Sequence, residues 1–262
     1  MGKSIATHYH GFHKVVIFTQ GEVTYWIDGK AYKLCPGDVL LIPYYTIHKP
    51  MIDARVDYER VVLWIRPEIA YLQEDLLQCF KRVKEQANYL LRLSKAQQKH
   101  LGYLLKALKE NLQEQSFGSS SLVQSYFIEL MVWLNRYLLK PQLVEGIYDA
   151  RILALSDYIN AHLQENLSVE ALAQAVHLEK HYLMHLFKAQ TGYSLHQYIQ
   201  KKRLIQAALL LQQGEPIACL CERCGFGDYS SFARAFKKEF QCSPRAYQKQ
   251  ATKPSLRQAD CY

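Results

Sequence analysis

The chain has 262 residues, 49% of them apolar and 21% charged, enough apolar surface for about two packed domains, which excludes disorder as the dominant state. Its 32 Lys and Arg against 24 Asp and Glu leave a net charge of +8, a balance that favours polyanionic partners, nucleic acid first. The opening MGKSIATHYHGF lacks the apolar run of a secretory leader, the seven cysteines are an odd count, and the most apolar stretch, residues 122–139, is broken by Glu129, Asn135 and Arg136, so we expect a cytoplasmic chain with free thiols and no membrane partner.

In chain order, residues 7–66 read as strands. Val15–Thr19, Glu22–Ile27, Ala31–Leu34, Val39–Ile42 and Tyr58–Ile65 are short β-branched or aromatic runs. Asp28-Gly29 between two of them is a type I′ hairpin signal, and Pro36-Gly37 marks the next turn. Strands this short and closely spaced predict an antiparallel sandwich or barrel. From Pro67 the period becomes helical. Ser94 with Gln97 fits a capping box ahead of a helix carrying Leu101, Leu104, Leu105, Leu108 and Leu112 on one stripe. The stretch 117–121, FGSSS, interrupts, and an apolar helix follows at 122–139. Residues 141–150, with Pro141 and Gly146, read as a linker. Residues 151–250 read as helices in short pieces, among them 169–176, capped by Ser168, and 217–224, with Pro216 in its first turn. A longer helix at 195–213 ends at Gly214. This part carries 12 Lys and Arg against 8 Asp and Glu.

An internal repeat organises the C-terminal part. Leu183-Met-His-Leu-Phe-Lys188 matches Phe232-Ala-Arg-Ala-Phe-Lys237 at an offset of 49 residues. In each copy an apolar pair four apart, Leu183/Phe187 and Phe232/Phe236, faces a core. His181, His185 and Lys188 in one copy, and Ser230, Arg234 and Lys237 in the other, then share a single outward face at i, i+4, i+7. A short helix precedes each copy. Helix, tight turn and helix with a polar outer face is the helix-turn-helix plan, in which the second helix enters the DNA major groove. The 19-residue connecting helix spans about 28 Å, against about 34 Å for one turn of duplex, so the two copies suit successive grooves on one face with some bending of the DNA.

The stretch 225–238, GFGDYSSFARAFKK, followed by Ser243-Pro-Arg-Ala-Tyr247, resembles the signature of AraC/XylS-type transcription regulators. Leu172-Ala173, Leu183 with Leu186-Phe-Lys188, Thr191-Gly192, and Arg203 with Ala207 and Leu210-Leu211 belong to the same resemblance, which covers about residues 151–250. It implies a DNA-binding domain of two helix-turn-helix units. Carried over by position, it implies base-facing roles for His181, Met184 and His185 in the first unit and Tyr229, Ser230, Ala233 and Arg234 in the second. Arg234 suits a bidentate guanine contact, while Tyr229 and His181 reach bases or phosphates. Lys188, Lys201, Lys237 and Lys238 suit phosphates, which position without specifying. Four positions depart from the pattern. Glu179 stands at a usual Ser cap, His177 at a usual turn Gly, Gly227 at the second cap, and Gln248 where Arg is common.

His8-Tyr-His10, Gly37-Asp-Val-Leu-Leu-Ile-Pro43 and His48 resemble the two motifs of cupin barrels, which regulators of this type carry ahead of the DNA-binding part, and Tyr58-Glu-Arg60-Val-Val fits as well. Metal-binding cupins need a Glu where this chain has Lys14, a cation that repels a metal, so no metal ligand is assigned. His8, His10, His48 and Trp26 become candidates for a small-molecule effector pocket, with hydrogen-bonded structural histidines as the alternative. Trp26 and Tyr25 lie on opposite faces of one strand, and the sequence does not say which faces in. Cys221 and Cys224 fall at core positions of a short helix rather than at zinc spacing.

The expected fold class is α+β. Residues 1–66 form an antiparallel cupin-like effector barrel and 67–140 a helical dimerisation segment; 141–150 link these to an all-α DNA-binding domain with two helix-turn-helix units at 151–250, with a tail at 251–262. The expected function is a DNA-binding transcription regulator, an activator among the expectations, working as a homodimer on double-stranded DNA under a small-molecule effector, with RNA polymerase as a further partner. No cofactor motif, nucleophile–base pair or phosphate loop stands out, so no catalytic residue is assigned. A metal-dependent cupin enzyme with an accessory DNA-binding domain and a ligandless dimeric regulator stay open.

Overall fold

A computed structural model describes residues 3–4, 8–66, 69, 74–114, 116–139 and 149–251. The chain divides into two compact units, residues 1–149 and 150–262. Of the expected linker only Asp149 and Ala150 lie within the described residues, and of the expected tail only Ala251.

The described residues of the first unit form eight strands: β1 (Lys3–Ser4), β2 (His13–Gln20), β3 (Val23–Ile27), β4 (Lys30–Lys33), β5 (Val39–Ile42), β6 (His48–Ile52), β7 (Glu59–Ile65) and β8 (Leu90–Leu91). They pair in two four-stranded sheets, ordered β1-β6-β3-β4 and β7-β2-β5-β8. Among the described residues no ladder joins the two sheets, so the expected closed barrel is instead a pair of facing open sheets. At the turn between β3 and β4, Asp28 and Gly29 have φ of 43° and 88°, the two positive values that a type I′ turn requires.

β2 is buried from His13 to Phe18 without alternation, because both of its faces are covered. One face carries His13, whose ring stacks on Phe80 at 4.2 Å. Phe80 belongs to α1 (Gln78–Glu85), which follows a 3-10 turn at Glu74–Leu77. The other face carries Lys14, Val16 and Phe18, in register with Trp64, Val62 and Arg60 of β7. Arg60 reaches the opposite sheet, donating from Nη1 to the hydroxyl of Tyr25 on β3 at 2.7 Å. The space between the sheets therefore lies on the side of Lys14.

α2 (Lys95–Gln113) starts at the expected capping box, with both reciprocal bonds between Ser94 and Gln97 formed. Of its predicted stripe, Leu101, Leu104 and Leu108 are buried, while Leu112 is 61% exposed. α3 spans Ser119–Leu138, so the serines expected to interrupt are its first turn, preceded by Gly118 in the left-handed region at φ 81°. Leu130, Met131, Leu134 and Leu138 of α3 share one core with α1, α2 and β2.

The second unit is helical: α4 (Ala150–Ala161), α5 (Val169–Ala175), α6 (Lys180–Thr191), α7 (Leu195–Gln212), α8 (Ile217–Arg223), α9 (Tyr229–Phe240) and α10 (Pro244–Ala251). α7, with Ser194 and Gln197 forming its capping box, packs against α6, α8, α9 and α10 and carries nine buried residues, which makes it the central rod of the unit.

Candidate DNA interface and effector pocket

The repeat reappears as two matched helix pairs. α5 and α8 have 7 residues each, and α6 and α9 have 12 each. Each longer helix opens behind a carboxylate. Glu179 accepts from the backbone N–H of Tyr182 at 2.9 Å, and Asp228 from that of Ser231 at 2.8 Å. These backbone donors hold both carboxyls below their ordinary range. The second cap is therefore Asp228, not Gly227, because the second turn is one residue longer: Cys224–Asp228 against Val176–Glu179. The residue after each short helix's C-cap turns left-handed, His177 at φ 52° and Gly225 at φ 73°. A Cβ at Gly225 would run into the carbonyl oxygen of Leu163. Arg203 of α7 holds that carbonyl with Nε at 2.9 Å and reaches the Glu165 carbonyl with Nη2 at 2.6 Å.

Leu183, Phe187, Phe232 and Phe236 are fully buried. Their outward complement stands as the spacing requires. His181, His185 and Lys188 on α6, and Tyr229, Ser230, Arg234, Lys237 and Lys238 on α9, are exposed, while Met184 and Ala233 are half-buried beside them. Arg234 Nε donates to the Ser230 carbonyl one turn back at 3.3 Å, so its stem lies along the helix. Lys201 differs from expectation: it is half-buried on α7, and its Nζ pairs with Glu239 Oε1 of α9 at 2.5 Å. In this pairing Lys201 fastens α7 to α9. Cys224 is buried, its thiol pushed up to about 12 by burial, whereas Cys221 is only half-buried and Cys219 exposed.

In the first unit three histidines converge. An isolated bridge ties His8 to His48 through backbone bonds of 3.1 and 2.9 Å, and the His10 carbonyl accepts from Tyr45 N at 2.7 Å. The rings of His8 and His48 lie 4.5 Å apart and those of His8 and His10 4.8 Å. His48 is buried. Its Nδ1 lies 2.9 Å from the Thr46 carbonyl and, as the donor there, leaves Nε2 without a hydrogen-bond partner. Burial drives its pKa down to about 3, against the Thr46 bond, and the charge of Lys14 acts in the same direction as burial. Burial, with His8 and Lys14, drives His10 down to about 4. Burial, with Arg60, drives Lys14 down to about 8. One nitrogen of each histidine lies within 4.8 Å of the others, close enough to hold a metal ion. The positive charge of Lys14 opposes a cation there.

The family described as AraC-like ligand binding domain matches residues 1–131, and the family described as helix-turn-helix domain matches residues 172–250. The chain belongs to the AraC family of transcription regulators. The HTH-type transcriptional activator RhaS of Enterobacter sp. (strain 638) is 29% identical over 252 residues, covering 91% of this chain and 85% of that protein. The RhaS activator of Salmonella arizonae is 27% identical with the same coverage. Among solved structures, a transcriptional regulator from Chromobacterium violaceum with an AraC-type DNA-binding domain is 27% identical, with a TM-score of 0.38, covering 40% of this chain and 95% of that one.

In this AraC-family chain the expected pocket residues divide. His8, His10 and His48 come together, but Trp26 does not join them. It lies on the outer face of β3, with its indole N–H 3.1 Å from Met51 Sδ, because Tyr25, fully buried, takes the inward face. Two residues not among the expected set point into the space between the sheets. Arg60 bonds the hydroxyls of Tyr25 and Tyr58, and Lys14 stands on the same strand face. The signal for Lys14 was present in the missing Glu; the reach of Arg60 across two sheets has no local signature. Among the described residues, no helix is long and apolar enough to cross a membrane.

Proposed function

We propose that this regulator reads two adjacent major-groove segments of double-stranded DNA with α6 and α9, as two helix-turn-helix units, under control of a small molecule held between the N-terminal sheets. The observation that carries the reading is the matched pair of 12-residue helices, each begun by a carboxylate cap and each exposing a polar face, packed on one rod. α7 has 18 residues and is about 27 Å long, close to one turn of duplex. On this reading Arg234 pairs with a guanine. His181, Met184, His185, Tyr229, Ser230 and Ala233 face base edges or the sugar rim, and Lys188, Lys237 and Lys238 hold phosphates.

Tyr103, Leu112, Phe117 and Leu122 of the α2–α3 region stay exposed, an apolar surface that supports a homodimer interface. The RhaS relatives are activators by name, and we read this chain in the same way, with RNA polymerase as the partner of the DNA-bound dimer in the cytoplasm. The test is selection of bound sequences from a random duplex pool, then binding of Arg234→Ala and Lys237→Ala to the selected duplex and a scrambled one. Arg234→Ala should cost about 1–3 kcal/mol of discrimination, roughly 5- to 150-fold. Lys237→Ala should weaken both duplexes alike and lower the salt slope by about one. Equal effects of the two substitutions on both duplexes would refute the assignment.

A further inference from the structure

Among the described residues, the interior between the N-terminal sheets holds two cations, Lys14 and Arg60, with no salt bridge to either. Lys14 is 6% exposed and, among the described residues, bonds to no carboxylate. Arg60 enters the same space and donates to two tyrosine hydroxyls, at 2.7 and 2.9 Å. Beside Lys14 lies His48, 1% exposed, with its unpartnered Nε2. Three aspartates of this unit are engaged elsewhere: Asp38 by Arg92, with Nη2 at 2.8 Å, Asp28 by the Tyr89 hydroxyl at 3.2 Å, and Asp53 by Arg55. A buried ammonium and a buried donor-capable imidazole are costly to keep without a partner, and proteins pair such groups. A metal would meet the like charge of Lys14, and a neutral ligand would leave that charge unanswered.

We infer that the effector taken by this domain is a small organic acid, whose carboxylate is held by the Lys14 ammonium with the His48 ring as a second donor and the Arg60 guanidinium behind it. The inference rests on the reading of the sheet domain as the effector site and names the class of its ligand. Lys14 supplies the counterion. His48, already bonded through Nδ1 to the Thr46 carbonyl, takes up a proton at Nε2 as the acid enters and donates it to the second carboxylate oxygen. Arg60, anchored by Tyr25 and Tyr58, adds positive potential without having to move. The position where metal-binding barrels carry an acidic ligand is thus converted into one that selects against cations and for anions.

The test uses the full chain, with thermal unfolding followed by tryptophan fluorescence, since Trp26, Trp64 and Trp133 all lie in the N-terminal unit. The probes are matched acid and neutral pairs, hexanoate with hexanamide, benzoate with benzamide and glucuronate with glucose, plus zinc chloride alone. An acid member should raise the midpoint by roughly 5–10 °C at about a hundred times its dissociation constant, with its neutral twin inert. Lys14→Met should abolish that shift while the free variant still unfolds cooperatively, and Lys14→Arg should retain part of it. A neutral twin acting as strongly as its acid, or Lys14→Met keeping the shift, overturns the anionic class and leaves the effector reading standing. Zinc raising the midpoint while every acid is inert overturns it in favour of a cation. Silence from all probes counts against both the class and the effector reading.

Discussion

Acidification should destabilise the N-terminal unit well before it affects the C-terminal one. His13 and His48 are buried at 5% and 1% exposure, and burial holds them at about 4 and about 3. Both stay neutral in the folded state down to those values, while in the unfolded chain they take up protons near 6.5. The folded pKa lies below the unfolded one, so stability is fully present above about pH 6.5 and is lost as pH falls toward 4. Between pH 7.5 and pH 5 each histidine should cost about 2 kcal/mol, so about 4 kcal/mol together. That is a large share of the roughly 5–15 kcal/mol that holds an ordinary domain together. Urea unfolding at the two pH values, followed by tryptophan fluorescence, reads the N-terminal unit alone. Far-ultraviolet circular dichroism is weighted toward the helical second unit. His48→Gln should remove about half of the loss between the two pH values. A fluorescence midpoint that stays put from pH 7.5 to 5, or a His48→Gln profile parallel to the parent, would refute the placement of these rings.

Other outcomes follow from single contacts. Gly225→Ala should destabilise the C-terminal unit by about 3 kcal/mol, since a Cβ there meets the Leu163 carbonyl and the left-handed φ penalises any other residue; melting followed by circular dichroism should fall while the fluorescence transition holds. Arg92→Met leaves the buried Asp38 carboxylate with only the Cys35 N–H at 2.8 Å and should cost about 2–3 kcal/mol, toward the low end because the Arg92 side chain is 34% exposed; urea midpoints by fluorescence check it. Glu239→Gln should free Lys201 from α7–α9 bridging, lowering stability by about 1 kcal/mol and raising the affinity for nonspecific DNA, measured by anisotropy at low salt.

Much of this was legible where the pattern is local. The Asp28-Gly29 hairpin, the Ser94 capping box and the alternation of Leu183 and Phe187 with exposed histidines each follow from residues within one or two turns of each other. β6 is absent from the expected strands. Within it Pro50 stands opposite Tyr25 of β3. The start of α3 was misread because Gly and three serines are also loop chemistry, and only the left-handed Gly118 reveals the cap. The Lys201–Glu239 pair joins residues 38 positions apart, and Arg60 meets Tyr25 across 35, distances at which a single sequence carries no sign of contact. Period two separated Tyr25 from Trp26 but could not orient the strand; the Arg60 guanidinium between the sheets does.

The unequal turns set a rule for re-engineering. The segments 180–191 and 229–240 have the same length and both begin directly after a carboxylate, so they can be exchanged as cassettes without changing the frame of either scaffold. A graft begun upstream, at residues 176 and 224, carries one residue too many or too few and forces its host to absorb the mismatch at the left-handed corner. Chimeras cut at Glu179 and Asp228 should therefore transplant sequence preference, whereas chimeras cut at the corner should transplant a fault.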